Sequence, residues 1–129
     1  MTTWTSEDLA LLSETYSLVL TAGDGSHPGV EIGMVVVDGE LYVRAYRGVR
    51  SRWYRAAQEH GHGRIQAGAV TRDVLLETGD LEPSAEIEAA FRGKYGRPAD
   101  ALVASAEARA ATIRIDPAPT PGADATPPL

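Results

Sequence analysis

The chain has 129 residues, 43% hydrophobic and 23% charged, which is typical of one soluble globular domain and too short for two well-formed cores. It contains no cysteine, which excludes disulfides, thiolate catalysis and cysteine-ligated metals and fits a cytoplasmic location. The net charge of −6 disfavours general nucleic-acid binding, because neutralising phosphates requires a basic footprint. No segment resembles a membrane helix or a signal peptide, so we also expect no membrane partner.

The local patterns predict strands separated by short turns and a few helices. Thr5 with Asp8 forms a loose capping box, and Asp38-Gly39 is typical of a type I′ hairpin turn. Ser51 and Gly61 bracket a predicted helix over Arg52–His60. The other predicted elements are strands over residues 16–21, 30–37, 40–46, 64–69, 70–78 and 111–115, and helices after Thr5, from Ser84 to Gly96 and from Pro98 to about Arg109. This order predicts an α+β fold, a six-stranded, mostly antiparallel barrel with flanking helices.

The end of the sequence differs in composition from the rest. Residues 117–129 hold five of the eight prolines and no aromatic residue. Such a segment buries too little apolar surface to offset its ordering entropy. We therefore expect one domain over residues 1–116 and a proline-rich disordered tail over residues 117–129.

The most informative segment is a basic run of strand, glycine turn and helix. Residues 41–58 contain no acidic residue but five of the twelve basic ones, namely Arg44, Arg47, Arg50, Arg52 and Arg55. A helix N-terminus with unpaired N–H groups favours a phosphate or carboxylate, and arginines can clamp its oxygens. The segment therefore predicts an anion site, with Tyr42, Tyr46, Trp53 and Tyr54 as stacking surface for a flat ring. The alternative is a plain solvated helix with Trp53 as a core anchor.

Two further clusters have weaker functional interpretations. His60 and His62 are two residues apart and could chelate a metal, but a site needs three or four ligands, so we predict no metal site. Basic and aromatic side chains gather at a predicted helix end: Arg92, Lys94, Tyr95 and Arg97. Their simplest role is to interact with the C-terminal carbonyls of that helix. Alternatively the helix closes over a ligand or a partner chain, and Tyr95 is then a candidate catalytic proton donor.

Several motifs together resemble the DUF2255 group, which is similar to the pyridoxamine-phosphate-oxidase-like and deazaflavin-dependent nitroreductase split barrels. They are Trp4, VVVDGELYVR at residues 35–44, Gly48 followed by SRWYR at 51–55, GRI at 63–65 and IEAAFRGKYG at 87–96. The resemblance implies a split β-barrel homodimer that binds FMN or coenzyme F420 in a groove between barrel and partner chain. The cofactor-binding residues would be Arg44, Tyr46, Arg47, Arg50, Ser51, Trp53 and Tyr54, with Arg44, Arg47, Arg50 and Ser51 at the phosphate.

Three functions remain open for a small-molecule ligand in this groove. The first is an FMN- or F420-dependent oxidoreductase that transfers hydride to a flat organic substrate. The second is a cofactor-free cyclase or isomerase of secondary metabolism, in which arginine and tyrosine act on a carboxylate or enolate. The third is a non-catalytic flavin-binding module.

Overall fold

A computed structural model of the protein describes residues 4–23, 29–45, 48–79, 81–82, 84–96 and 105–118. Its helices are α1 (Ser6–Glu14), α2 (Arg52–His60), α3 (Ser84–Tyr95) and α4 (Ala106–Ala110), and a single 3-10 turn covers Gly48–Arg50. Its strands are β1 (Ser17–Ala22), β2 (Val30–Gly33), β3 (Val35–Val37), β4 (Glu40–Arg44), β5 (His62–Ala67), β6 (Val70–Gly79) and β7 (Thr112–Pro117). The start of the predicted 98–109 helix lies outside the described residues, and so does most of the predicted 117–129 tail.

Local signals in the sequence set several of the element boundaries. The side chain of Thr5 accepts a hydrogen bond from the backbone N–H of Asp8, which confirms the predicted cap of α1. Asp38 and Gly39 have φ angles of 50° and 79°, as the predicted type I′ turn between β3 and β4 requires. Gly61 ends α2 in the left-handed conformation, again as predicted. These element boundaries depend only on interactions between residues that are close together in the sequence.

The described strands form one antiparallel sheet in the order β2-β1-β5-β6-β7-β4-β3. The two edge strands, β2 and β3, follow each other in the chain and are joined only by Met34. The sheet therefore curls until its edges meet, which gives a nearly closed barrel. This confirms the predicted α+β barrel but corrects the strand count from six to seven, because the predicted 30–37 strand is divided at Met34.

The barrel interior forms the main core, and a smaller outer core lies on the barrel face beneath α3. Met34 belongs to the interior core, whereas Val35 belongs to the outer one, so this apolar run is buried on both sides of the barrel wall. In the outer core, Val35 and Tyr42 pack against Ile87 and Phe91 of α3. The largest buried side chains of the interior core are Leu12, Leu18, Leu20, Leu41, Tyr54, Ile65, Ile113 and Ile115.

The last strand reaches slightly past the predicted domain boundary. β7 includes Pro117, and the N–H of Ala118 donates to the carbonyl oxygen of Asp73 at 2.9 Å. Residues 119–129 lie outside the described residues, so a disordered tail stays a prediction. Within the described ranges, no helix has the length and apolarity to cross a membrane.

Candidate functional site

The predicted anion site begins where β4 ends and the chain turns into α2. The N–H of Ala45 donates to the carbonyl oxygen of Ala111 at 3.0 Å, and the N–H of Gly48 donates back to Ala45 at 2.8 Å. Gly48 has a φ of 81°, and a Cβ added there would lie 3.2 Å from the Cβ of Glu107. Only glycine suits both this backbone conformation and the close approach of α4. The Gly48–Arg50 turn, which precedes α2, is therefore in close contact with α4.

The start of α2 has the electrostatic character expected of an anion site. Ser51 occupies the N-cap position but its side chain makes no capping hydrogen bond, and no acidic residue lies in the first turn. Arg50, Arg52 and Arg55 are exposed, and none of them forms an ion pair with another described residue. The partial positive charge of the helix N-terminus adds to theirs. We call Arg50, Ser51, Arg52 and Arg55 the α2 basic surface.

Arginines on other parts of the surface differ from these three. Arg64 pairs with Asp73 at 3.0 Å and Arg72 pairs with Asp8 at 3.2 Å. Arg114 lies between three carboxylates, with Asp116 nearest at 3.1 Å. Such exposed pairs contribute little to stability, but they neutralise the local potential. The arginines of the α2 basic surface have no such ion pair among the described residues.

Arg44 lies in a buried network rather than on this surface. Its side chain is fully buried, its Nη1 donates to Glu88 at 3.2 Å, and its Nε donates to the hydroxyl of Thr112 at 2.9 Å. Glu88 also accepts two hydrogen bonds from Arg109, at 2.7 and 2.9 Å. These bonds, first those from Arg109, lower the pKa of Glu88 against the opposing effect of burial. Arg44 thus has an interior carboxylate partner, which the sequence did not predict.

The aromatic side chains predicted as stacking surface lie mostly in the core. Tyr54 is 1% exposed and its hydroxyl donates to the carbonyl oxygen of Ala110 at 3.3 Å. Trp53 is half-buried and packs against the interior core, and Tyr42 is buried beneath α3. Tyr46, like Arg47, lies outside the described residues. Of the described aromatics in this segment, Trp53 alone keeps a partly accessible ring.

Tyr95 joins α3 to the junction of the barrel edges. Its hydroxyl accepts from the N–H of Met34 at 2.9 Å and lies 2.5 and 3.1 Å from the carbonyl oxygens of Tyr16 and Met34. Burial raises the pKa of Tyr95, partly offset by the backbone hydrogen bond to Met34. Beside it, the Lys94 ammonium donates to the Met34 carbonyl at 2.8 Å, and burial lowers the pKa of Lys94. These contacts place the hydroxyl of Tyr95, the predicted proton donor, against backbone groups at the junction of the barrel edges.

The structure therefore divides the residues predicted for the site into three groups. Arg50 and Ser51 lie together at the start of α2, with Trp53 in the first turn of that helix. Arg44, Tyr54 and Tyr95 are engaged elsewhere, and Tyr46 and Arg47 lie outside the described residues. Glu88 was not among the predicted site residues. It lies three residues before the buried Phe91, and this helical spacing indicates that it is on the buried side of α3.

No cluster of three or more potential metal ligands occurs among the described residues. The rings of His60 and His62 lie 6.0 Å apart between centroids, in an edge-to-face arrangement. No third described ligand accompanies this pair.

A nearly closed antiparallel barrel with a helix packed across its outer face defines a split β-barrel protein. The solved structures similar to this chain support that class. One, from Listeria innocua, is called a "Putative Pyridoxamine 5'-phosphate oxidase"; it has 16% identity and a TM-score of 0.64, covering 88% of this chain and 92% of that one. HutZ, the heme storage protein of Vibrio cholerae, has 14% identity and a TM-score of 0.65, covering 88% and 89%. A conserved hypothetical protein of Mycobacterium tuberculosis has 15% identity and a TM-score of 0.62, covering 92% and 83%.

At these identities the likeness concerns the fold alone. No curated protein matches the sequence significantly. Residues 13–115 match the family described as "Uncharacterized protein conserved in bacteria (DUF2255)". The chain belongs to the DUF2255 family, as its motifs predicted.

Proposed function

We propose that this protein binds a phosphorylated flavin-type molecule, FMN or coenzyme F420, through the α2 basic surface. One observation carries the proposal: Arg50, Arg52 and Arg55 are exposed without an acidic partner among the described residues, at a helix N-terminus whose cap hydroxyl makes no capping bond. In a chain of net charge −6, such a concentration of unneutralised positive charge favours an anionic ligand.

The residues at this surface fit the phosphate part of such a ligand. The first N–H groups of α2 have no partner within the helix, and the Ser51 hydroxyl can donate a further hydrogen bond. Arg50 and Arg52 flank Ser51 in the sequence and can each contribute a planar donor pair to phosphate oxygens. The guanidinium of Arg44 donates to Glu88 and Thr112, so Arg44 would support the phosphate site indirectly and would not contact the phosphate itself.

The ring would lie against the accessible part of Trp53, together with the predicted Tyr46. A bound flavin or deazaflavin supplies hydride transfer, and the protein supplies binding, orientation and exclusion of water. The proposed activity is reduction or oxidation of a flat organic substrate beside that ring. The name of the Listeria neighbour denotes an oxidase that acts on a phosphorylated substrate, and this supports the proposal by analogy of fold.

A second candidate is binding or storage without catalysis. Two described tyrosines of the predicted site, Tyr54 and Tyr95, have their hydroxyls within hydrogen-bond distance of backbone carbonyl oxygens. Neither phenol is therefore presented as an acid to a ligand at the α2 basic surface. The likeness to a heme storage protein makes heme a suitable additional probe.

We also propose that the protein is a homodimer, as its resemblance to other split barrels implies. Light scattering coupled to size-exclusion chromatography tests this directly, and a monomeric mass would overturn it. The cytoplasmic location stays a prediction.

The primary experiment is a titration with FMN, riboflavin, F420 and heme, followed by flavin fluorescence and by absorbance. Riboflavin has the FMN ring system without the phosphate. We expect saturable binding of FMN or F420, and for FMN an affinity at least tenfold above that for riboflavin. Equal affinities would refute the phosphate site, and binding of heme alone would favour the storage candidate. Multiple-turnover reduction of a dye by the loaded protein, with a hydride donor such as NADPH added as reductant, then separates an oxidoreductase from a binding module.

A further inference from the structure

Four side chains from four different elements form a closed ring of hydrogen bonds that includes Arg109 of α4, the helix in contact with Gly48. Glu88 of α3 accepts from Arg44 of β4 at 3.2 Å and from Arg109 of α4 at 2.7 and 2.9 Å. The Nε of Arg44 donates to the hydroxyl of Thr112 in β7 at 2.9 Å. That hydroxyl donates in turn to the carbonyl oxygen of Arg109 at 2.8 Å. Arg109 is thus held at both its guanidinium and its backbone.

Glu88 is the centre of this ring. Its side chain is only 10% exposed, and that of Arg44 is fully buried. Glu88 is the carboxylate of both ion pairs, one with Arg44 and one with Arg109. The Arg109 side chain is 47% exposed. A buried charge must be paired and hydrogen-bonded to be tolerated. Removing the Glu88 charge would therefore affect both arginines together.

The ring determines the position of α4 because α4 cannot hold itself in place. It has five residues, Ala106–Ala110, far fewer than an isolated helix needs for stability. Beyond its Ser105 cap, α4 has two polar links to other helices among the described residues. The Glu88–Arg109 pair, at 2.7 Å, joins α4 to α3, and the hydroxyl of Tyr54 in α2 donates to the carbonyl oxygen of Ala110 at the longer distance of 3.3 Å.

The position of α4 in turn determines that of the Gly48–Arg50 turn. The backbone of Glu107 lies against Gly48, with 3.4 Å between its carbonyl oxygen and a Cβ built at Gly48. Just after α4, the carbonyl oxygen of Ala111 accepts from Ala45, the last described residue before the turn. A shift of α4 therefore moves the turn that presents Arg50.

We propose that Glu88 is a positioning residue for the anion site: by holding Arg109 it fixes α4, and through α4 it fixes the turn from which α2 begins. The ligand part of this proposal rests on the proposed function. The mechanical part concerns the protein alone and is tested without ligand.

The test compares Glu88→Gln with Glu86→Gln, which removes the same charge from an exposed position on the same helix. Amide hydrogen exchange is followed at Gly48 and Ser51, whose N–H groups donate to Ala45 and Gly48 at 2.8 and 3.2 Å. In Glu88→Gln we expect exchange at both amides to accelerate at least tenfold more than at the β1 amide of Leu20, which reports the global loss of stability. Glu86→Gln should leave all three amides unchanged.

Arg109→Ala provides a second variant in case Glu88→Gln does not fold. It should accelerate the same amides. Adding Glu88→Gln to it should produce little further acceleration relative to Leu20, because the Glu88–Arg109 connection to α4 is already broken and the loss of the Arg44 pair affects global stability. FMN affinity should fall at least fivefold in either variant while riboflavin affinity is unaffected. Unchanged exchange at Gly48 and Ser51 in Arg109→Ala and in folded Glu88→Gln would overturn the proposal whatever the ligand result. Absence of FMN binding in the unmodified protein would instead refute the proposed function, and the exchange data would still decide the role of Glu88.

Discussion

The hydroxyl of Tyr95 accepts a hydrogen bond from the backbone N–H of Met34 at 2.9 Å, across 61 residues of sequence. Met34 is the one residue between the two edge strands of the sheet, and its side chain is fully buried. A strand edge left unpaired here would expose buried backbone groups without partners. The phenol thus completes the junction at which the barrel closes.

Replacing Tyr95 by phenylalanine should destabilise the protein by about 1–3 kcal/mol, since the Met34 N–H loses its acceptor in a buried setting. Urea unfolding measures the change. Tyr16→Phe is the control, because Tyr16 is 72% exposed and packs edge-to-face on Tyr95 through its ring. Loss of turnover at unchanged stability in Tyr95→Phe would instead identify the phenol as a catalytic acid.

Replacing Arg50 by alanine should weaken FMN binding about tenfold or more, given roughly 1.5–3 kcal/mol for a charge-assisted hydrogen bond and about 1.4 kcal/mol for each tenfold change. Arg64→Ala is a matched control, because it removes an exposed arginine that is already paired with Asp73. Fluorescence titration gives both affinities. Equal losses in the two variants would mean that net charge, and not the α2 basic surface, attracts the ligand.

Replacing Gly48 by alanine should cost about 1–2 kcal/mol for a left-handed residue, plus the contact of the new Cβ with Glu107. Gly61→Ala separates the two costs, because Gly61 also has a positive φ but nothing lies within 4 Å of its Cβ position. We expect the larger loss of stability, by thermal or urea unfolding, at Gly48. Equal losses would show that α4 does not press against the turn.

The Glu88 network makes a defined contribution to acid sensitivity. Because the folded protein lowers the pKa of Glu88 below its ordinary 4.5, this group stabilises the fold at neutral pH, and that stabilisation declines as the pH falls below 4.5 through the lowered pKa. Glu88→Gln should therefore be less stable than the unmodified protein at pH 7, with the difference shrinking towards pH 3. Urea unfolding at several pH values measures this. A difference that grows in acid would contradict the ion-pair account.

Deletion of residues 119–129 should leave the melting temperature within a few degrees of the full chain. The described hydrogen bond of Ala118 to Asp73 is retained in the shortened protein. Calorimetry of the two lengths tests this expectation. A larger fall would show that the tail is docked, for example across a dimer.

The sequence by itself determined the local elements and the region of the candidate site. Thr5, the Asp38-Gly39 pair and the two ends of α2 could be predicted because each depends on residues within one turn of itself. The concentration of arginines without acids in residues 41–58 was likewise visible as composition. The family motifs added the barrel, which periodicity alone left less specific.

Only the tertiary structure decided which arginines are available to a ligand and where the barrel closes. Arg44 and Arg50 belong to the same basic segment, yet Arg44 is buried on Glu88, which is 44 residues away, whereas Arg50 is exposed. The predicted 30–37 strand is divided at Met34 because the backbone N–H and carbonyl of Met34 form hydrogen bonds with the side chains of Tyr95 and Lys94, about 60 residues away. Both outcomes depend on contacts between elements distant in sequence, and no local pattern of charge or hydrophobicity encodes such partners.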